Sequence, residues 1–210
     1  MEAVVWYRKA AEQDHELAQL ALGKCLEEGL GVPHPDYAEA VKWYEKSAKQ
    51  DVPEAQYRLA LYYEKSEELE NHYQKAFRYF RKAAEQDYIP AQCKYARYLE
   101  LGLGTTKNQE KAIEYYRKAI EKNDAHAQYY LALILSDNKH TETDKLEAAD
   151  LMRQSANSGY SDAQYELGRF YENGIGVKES KSQAMRWYIK AAEKGHQQAR
   201  EAWQKLSGEK

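Results

Sequence analysis

An Ala-Gln pair recurs at a nearly fixed interval along this chain of 210 residues, and no other feature constrains the fold as strongly. The interval is 37 residues once and 36 thereafter, and an alanine followed by arginine, Ala199-Arg200, continues the series. Periods of about 20–50 residues indicate solenoid or propeller architectures, in which each unit packs on its neighbours and the array presents an extended surface. The five pairs begin at Ala18, Ala55, Ala91, Ala127 and Ala163.

A second landmark, usually aromatic, follows the same interval, and each period reads as a hairpin of two helices, A and B. In the clearest period Ala163, Leu167 and Tyr171 form an apolar stripe at helical spacing, which predicts helix A. Gly174 and Gly176 predict a reversal after it, because glycine readily adopts positive φ. The second landmark is found at Trp6, Trp43, Tyr79, Tyr115, Leu151 and Trp187.

Helix B of that period is predicted to begin after Ser180, because Gln183 follows three residues later in the pattern of a capping box. Trp187 and Tyr188 lie in its apolar stripe. Every helix B is followed by a residue type that tolerates the left-handed conformation, which predicts positive φ there. These residues are Asp14, Asp51, Asp87, Asn123, Gly159 and Gly195.

The recurrent glutamine is predicted to lie on the packed face of helix A. At about 100° per residue, the position after the alanine falls inside the arc of buried residues. A buried amide needs hydrogen bonds, so we expect one to a neighbouring helix end or to another glutamine. A polar contact with a ligand is the alternative interpretation. Pro53 and Pro90 are predicted to lie at starts of helix A, where a missing N–H is tolerated.

The repeat predicts a single domain over residues 1–210. Because helix A is absent before the first helix B, we expect Val4, Val5 and Trp6 to be exposed, and this uncapped end is a predicted surface for self-association. The connections at 65–70 and 137–143 lack the glycine reversal and are expected to be mobile. The predicted organisation is a half unit 1–14, full units 15–51, 52–87, 88–123, 124–159 and 160–195, and a C-terminal capping helix 196–210.

Composition disfavours several function classes. The net charge of −3 gives no support for nucleic-acid binding, and no apolar run approaches the roughly 20 residues of a membrane-spanning helix. The start of the chain lacks the pattern of a signal peptide, which favours a cytoplasmic location unless a signal was removed. Cys25 and Cys93 are not expected to form a disulfide. The six histidines lack metal-ligand spacing, and no cofactor or catalytic motif is predicted.

The pattern Ala-Gln-Tyr-x-Leu-Gly-x-x-Tyr-x-x-Gly-x-Gly-Val, followed by Ala-x-x-Trp-Tyr-x-x-Ala-Ala-x-x-Gly, resembles the Sel1-like repeat over essentially the whole chain. The resemblance implies an all-α fold, a right-handed α-α superhelix of about five and a half helical hairpins related to tetratricopeptide arrays. Members of this family are mostly scaffolds and adaptors. A cysteine-rich, β-lactamase-like branch has a disulfide in each repeat, and this chain lacks those cysteine pairs. The pattern is carried by residues 163–168, Tyr171, Gly174, Gly176, Val177, Ala184, Trp187, Tyr188, Ala191, Ala192 and Gly195.

In helical-hairpin superhelices the A helices line the concave side, so the resemblance also implies a binding face. Its candidates come from helix A positions two and six residues after the recurrent alanine, where tyrosine and arginine are typical of interaction hot spots. The alternative is that superhelical twist buries some of these rings between repeats. A basic column on the B helices is interpreted as a solvated face paired with acidic residues rather than as a nucleic-acid track. The candidates are Lys24, Tyr57, Leu61, Cys93, Arg97, Tyr129, Leu133, Tyr165 and Arg169.

These features predict a non-catalytic scaffold or adaptor that binds a protein or peptide ligand, without nucleic acid, membrane insertion, metal or cofactor. Two alternatives remain open at this point. The first alternative is an inhibitor or immunity protein for a partner enzyme, and the second is an enzyme that acts on an envelope or cell-wall substrate. Only the cysteine-rich branch of the family suggests the enzyme.

Overall fold

The computed structural model describes residues 2–137 and 139–208, and this part of the chain forms twelve α-helices and no strand. Even-numbered helices correspond to the predicted A helices and odd-numbered helices to the B helices, so the fold is the predicted all-α helical repeat solenoid. The helices are α1 (Glu2–Glu12), α2 (Glu16–Glu28), α3 (Tyr37–Lys49), α4 (Pro53–Lys65), α5 (His72–Glu85), α6 (Ile89–Leu101), α7 (Gln109–Ile120), α8 (Ala125–Leu135), α9 (Glu142–Asn157), α10 (Ser161–Asn173), α11 (Lys181–Glu193) and α12 (Gln197–Ser207).

The chain divides into two compact units, Met1–Tyr115 and Tyr116–Lys210, with the division inside α7. In the first unit each helix from α1 to α6 packs against the next one in sequence. In the second unit the same holds from α8 to α12. Contacts between consecutive helices are what a repeat array requires, because no single hairpin can bury its apolar face alone.

The predicted helix boundaries are confirmed at most of the positions that were singled out. Gly174 follows α10 with φ of 68°, and the Ser180 hydroxyl accepts a hydrogen bond from the Gln183 N–H at the start of α11. Pro53 is the first residue of α4 and Pro90 the second residue of α6. All six residues predicted to have positive φ do so: Asp14 (61°), Asp51 (59°), Asp87 (58°), Asn123 (61°), Gly159 (91°) and Gly195 (86°).

The second glycine of the G-x-G turn has a packing role besides its conformation. Gly176 has φ of 59°, and a Cβ there would overlap the backbone carbonyl of Lys145 in α9. Gly104 meets the backbone of Tyr73 in α5 in the same way. Glycine therefore allows the turn to rest directly on the backbone of the preceding helix B.

The recurrent glutamines are buried and hydrogen-bonded, as predicted. Gln19 donates to the Ala11 carbonyl (3.2 Å) and to the Asp14 carboxylate (3.3 Å), both at the end of the preceding helix B. It also accepts a hydrogen bond from Gln50 of the same repeat unit (2.9 Å). These bonds join a helix end to the start of the next hairpin, so the amide has a structural role. Comparable contacts involve Gln56, Gln92, Gln128 and Gln164.

In the B helices that contain aromatic residues, the most buried one is the residue after the predicted landmark. Tyr44 lies against Gly23, whose missing side chain makes room for the ring, and its hydroxyl donates to Glu27 (2.6 Å). In the second unit Tyr188 lies against Gly168 and donates to Glu172. Burial, and then the hydrogen bond to a carboxylate, raises the pKa of both tyrosines well above the ordinary range.

The expectation for the N-terminal helix is partly wrong. Val5 and Trp6 are exposed, as predicted, but Val4 is buried. Val4 and Ala11 are seven residues apart and therefore share one face of α1. That face packs in the same apolar cluster as residues of α2, which the prediction from a missing helix A did not consider.

Candidate partner-binding site

On the A helices of the first unit, Lys24 takes part in a network of ion pairs between α2 and α4. Lys24 Nζ lies 2.9 Å from Glu54 Oε1, and Arg58 contacts both Glu54 (3.1 Å) and Glu27 (2.7 Å). Burial alone would raise the pKa of Glu54, but the hydrogen bonds from Lys24 and Arg58 outweigh it and hold that pKa below its usual value. The network fixes long side chains in place, so it presents an ordered polar surface.

The Tyr57 ring of the same unit is half-buried between repeats. Its ring centroid lies 5.8 Å from that of Phe80 and 5.4 Å from that of Tyr88, the residue that precedes α6. Cys93 is buried, and Arg97 forms an ion pair with Glu100 (2.7 Å). Cys93 therefore offers little surface to a partner.

The candidates of the second unit follow the same pattern. The Tyr129 ring lies 5.1 Å from that of Tyr160, and the Tyr165 ring stacks on His196 at 4.7 Å. Tyr160 and His196 are the residues that precede α10 and α12. Each tyrosine thus packs against the start of the next helix A, which agrees with the interpretation that these rings stabilise the contact between repeats. Leu133 is half-buried, and Arg169 is exposed and paired with Glu166 (2.9 Å).

We use the term A-helix surface for the accessible parts of these candidates, taken separately in each unit. Half-exposed tyrosines and ordered charged groups occur on it in both units. Their role in binding remains a prediction. The accessible members are Lys24, Tyr57, Leu61 and Arg97 in the first unit, and Tyr129, Leu133, Tyr165 and Arg169 in the second.

The first unit contains a pocket of about 270 Å³ that was not predicted from the sequence, and we call it the Val41 pocket. It lies between α2, α3 and α4 and includes only one predicted residue, Leu61. Its polar wall is the Glu27–Arg58 pair with the Tyr44 hydroxyl. A signal existed, because one repeat later Phe77 stands where Val41 does here. The other lining residues are Tyr37, Ala40, Tyr62, Lys65 and Ser66.

The arginines of the basic column on the B helices are paired with acidic residues, of which Glu85 is one of the predicted partners. Arg8 contacts Glu39 (2.6 Å), Arg117 contacts Glu147 (2.7 Å), and Arg81 and Arg153 contact acidic residues of their own helices. Three lysines instead cover the landmark tryptophans, with the ammonium 4.1–4.6 Å from the ring centroid. These pairs are Lys9 on Trp6, Lys46 on Trp43 and Lys190 on Trp187.

Residues 2–137 and 139–208 contain no cluster of three or more His, Cys, Asp or Glu side chains with the geometry to hold a metal ion. In the same residues no helix combines the length and apolarity that a membrane crossing requires. Neither Cys25 nor Cys93 forms a disulfide, in agreement with the prediction.

Solved structures with the same fold come from several bacteria. A protective antigen with an SLR fold from uropathogenic Escherichia coli strains is 34% identical, with a TM-score of 0.89 over 97% of this chain. The chain spans only 43% of that protein's length. A Sel1 repeat protein from Oxalobacter formigenes is 31% identical, with a TM-score of 0.82 over 91% of this chain and 76% of its own.

More distant structures share the fold alone. An immunity protein from Pseudomonas aeruginosa is 19% identical, with a TM-score of 0.54 over 90% of this chain and 72% of its own. No curated protein sequence matches the chain.

The repeats of one protein family match nearly the whole chain. The Sel1 repeat matches six consecutive segments, of which the first is a partial one, and Sel1 repeat proteins are typically protein-interaction scaffolds. The matched segments are 1–15, 17–52, 53–88, 89–124, 125–160 and 161–196. With helical hairpins of the same period and two solved relatives above 30% identity, this chain belongs to the Sel1 repeat family.

Proposed function

We propose that this chain is a non-catalytic interaction module that binds a protein or peptide partner on its A-helix surface. The observation that carries the proposal is the recurrence, in both units, of half-exposed tyrosines beside ordered charged side chains on the A helices. Tyrosine and arginine are enriched among residues that dominate binding energy. The typical scaffold role of Sel1 repeat proteins supports the same conclusion.

The packing of these residues favours binding at low entropic loss. Tyr165 is held by Tyr188 and His196, and Arg169 is held by Glu166. Immobilising a free side chain at an interface costs about 0.5–1.5 kcal/mol, so a side chain that is already ordered loses less on binding. A surface of this kind suits a scaffold, because it does not have to reorganise when the partner binds.

The double substitution Tyr129→Ala with Tyr165→Ala tests the proposal. We expect it to reduce the capture of partners from native lysate, measured by quantitative mass spectrometry against the wild-type chain. Arg186→Ala, at an exposed position of α11, is the matched control and should leave the capture unchanged. Equal capture by a folded double variant would contradict the proposal.

Because both rings also pack between repeats, folding is measured in parallel by circular dichroism. If the double variant unfolds, the rings belong to the core, and the pair Leu133→Ala with Arg169→Ala provides the same test with less structural disturbance. Unchanged capture by that folded pair would count against the A-helix surface as the binding site.

Two alternatives predicted from the sequence are distinguished by different experiments. An inhibitor or immunity protein would co-purify with one enzyme and abolish its activity in a purified mixture. The likeness to two Pseudomonas aeruginosa immunity proteins extends to the fold alone and does not favour this function. An enzyme for an envelope substrate would require turnover that a single substitution on the A-helix surface abolishes without unfolding the chain.

A further inference from the structure

The Val41 pocket differs from the equivalent place one repeat later. A shift of 36 residues maps Val41 onto Phe77 and Tyr62 onto Tyr98. Tyr98 is 1% exposed and packs edge-on against Phe80 (5.0 Å) and Tyr73 (6.2 Å), whereas Tyr62 is 37% exposed. Where the later repeat has closely packed aromatic rings of its own, the earlier one has an open pocket.

Several lining side chains differ between the two repeats, and at one position, Val41 against Phe77, the earlier repeat has the smaller side chain. Phe77 packs its ring against Tyr95 at 5.3 Å, whereas Val41 has no ring, and Leu59, the equivalent of Tyr95, is buried and is not a lining residue. The later repeat has aromatic side chains at four of the equivalent positions, Tyr73, Phe77, Phe80 and Tyr98, so we expect this place in the hairpin to suit an aromatic ring. The pocket volume of about 270 Å³ lies below the approximately 300–1,000 Å³ of small-molecule sites, which favours a single anchoring side chain over a cofactor.

The polar wall of the pocket does not require a charged ligand. Arg58 is paired with Glu27 and Glu54, and the Tyr44 hydroxyl also donates to Glu27. Because these partly buried groups are already satisfied, an apolar ring can cover them without leaving an unpaired charge. The Arg58–Glu27 pair then forms an ordered wall beside the ring.

Charged groups around the pocket indicate which residues are expected beside an aromatic ring that a partner would insert. Four exposed carboxylates lie within two residues of lining residues in the sequence, against the exposed bases Lys42 and Lys46 at the same separation and Lys65 among the lining residues themselves. The net charge around the pocket is therefore negative by one, which favours a basic partner over an acidic one. The carboxylates belong to Glu28, Asp36, Glu67 and Glu68.

We infer that the Val41 pocket is an anchor site for one aromatic side chain of a partner segment in which basic residues flank that side chain. The inference rests on the proposed function as an interaction module and adds the type of partner. It assigns the binding energy to ring burial among Val41, Leu61 and Tyr62 and the choice of partner to the surrounding carboxylates.

The test is a titration of the full chain with the peptide acetyl-Ala-Arg-Trp-Arg-Ala-amide, followed by methyl NMR. We expect saturable shifts of the Val41 and Leu61 methyl groups. Peptides with alanine in place of tryptophan, or glutamate in place of arginine, should bind at least about tenfold more weakly. Absence of shifts at these methyl groups up to millimolar peptide, or equal binding of the alanine peptide, would overturn the inference.

Substitutions at one position provide matched variants. Val41→Phe should add a ring to the lining, reduce the volume of the pocket and lower peptide affinity at least about tenfold, read from shifts of the Leu61 methyl groups. Val41→Ala should leave the pocket open and retain binding. Equal affinity of the folded Val41→Phe variant would overturn the inference. If that variant does not fold, Tyr62→Ala, which removes one wall, should produce the same loss, and unchanged affinity there would also overturn it.

The two proposals can fail separately. If lysate partners are lost with the Tyr129 and Tyr165 substitutions while the peptide does not bind, the interaction module stands and the anchor site is overturned. If the peptide binds and Val41→Phe abolishes that binding while partner capture is insensitive to the two tyrosines, the anchor site stands and the A-helix surface as proposed is overturned.

Discussion

Helices α1 and α3 have nearly the same sequence around the landmark, yet their side chains lie in different environments. Trp6-Tyr7 in α1 corresponds to Trp43-Tyr44 in α3. Trp6 is 61% exposed and Trp43 8%, while Tyr7 is 39% exposed and Tyr44 3%. Helix α3 packs against α2 and α4, whereas α1 packs against α2 and no helix precedes it among the described residues. The comparison shows that burial of a helix B depends on the helix A of its own hairpin.

The opposite face of α1, which packs against α2, is buried. Ala11 is buried as fully as its counterpart Ala48, and Val4 is buried as well. These residues face the following repeat, which both helices have. A single helix therefore shows two separate contributions to burial, one from its own hairpin and one from the next repeat, as expected for an array stabilised by nearest-neighbour contacts.

The largest effect is expected from truncating the landmark in the two helices. Trp43→Ala should lower the free energy of unfolding by about 3–5 kcal/mol because it removes a packed aromatic ring. Trp6→Ala should change it by about 0.5 kcal/mol because its ring is mostly in solvent. Urea unfolding measures both, and amide hydrogen exchange locates the loss in α3. Equal losses for the two variants would break the comparison.

An effect of intermediate size on stability is expected at Gly23, against which the Tyr44 ring packs. Gly23→Ala places a methyl group against the ring, and overpacking of this kind costs about 1–3 kcal/mol, partly offset by the better helix propensity of alanine of about 1 kcal/mol. Another hairpin already combines Ala60 with Phe80 at these positions.

The Ala60–Phe80 combination predicts that the effect of Tyr44→Phe on stability changes sign in the Gly23→Ala variant. A phenylalanine ring does not form the hydrogen bond to Glu27, so it can move away from the added methyl group. Tyr44→Phe should destabilise the wild-type chain by about 1 kcal/mol but stabilise the Gly23→Ala variant. A double-mutant cycle from urea unfolding measures this coupling. Purely additive effects would show that the glycine is not required by the tyrosine.

The smallest expected effect is a decrease in the free energy of unfolding at alkaline pH. The pKa values of Tyr44 and Tyr188 are raised by burial and by their hydrogen bonds to carboxylates, whereas a tyrosine in an unfolded chain loses its proton near pH of about 10. Above that pH the unfolded chain binds fewer protons than the folded one, so the free energy of unfolding falls as pH rises. Urea midpoints at about pH 8 and about pH 11 measure the decline. The variant with Phe at both positions should show a smaller decline of the urea midpoint. An identical decline would contradict its assignment to Tyr44 and Tyr188.

Features that depend on spacing within one or two adjacent helices could be predicted from the sequence. Asp14 and Gln19 are five residues apart across one tight turn, so the positive φ of the first and the hydrogen bond of the second follow from local geometry. Contacts between repeats could not be predicted in the same way. The packing of Tyr57 on Tyr88, and the Lys24–Glu54 pair, depend on how one hairpin is placed on the next.

The sequence alone determined that the chain forms paired helices at a period of 36 residues, where those helices begin and end, and which residue types fill the core. These properties follow from helical periodicity and from the conformational preferences of glycine, aspartate and proline. Only the tertiary structure decided that Val4 is buried, and that Val41 leaves a pocket open. The physical reason is that burial and cavity volume depend on the side chains contributed by neighbouring helices, and these differ from repeat to repeat.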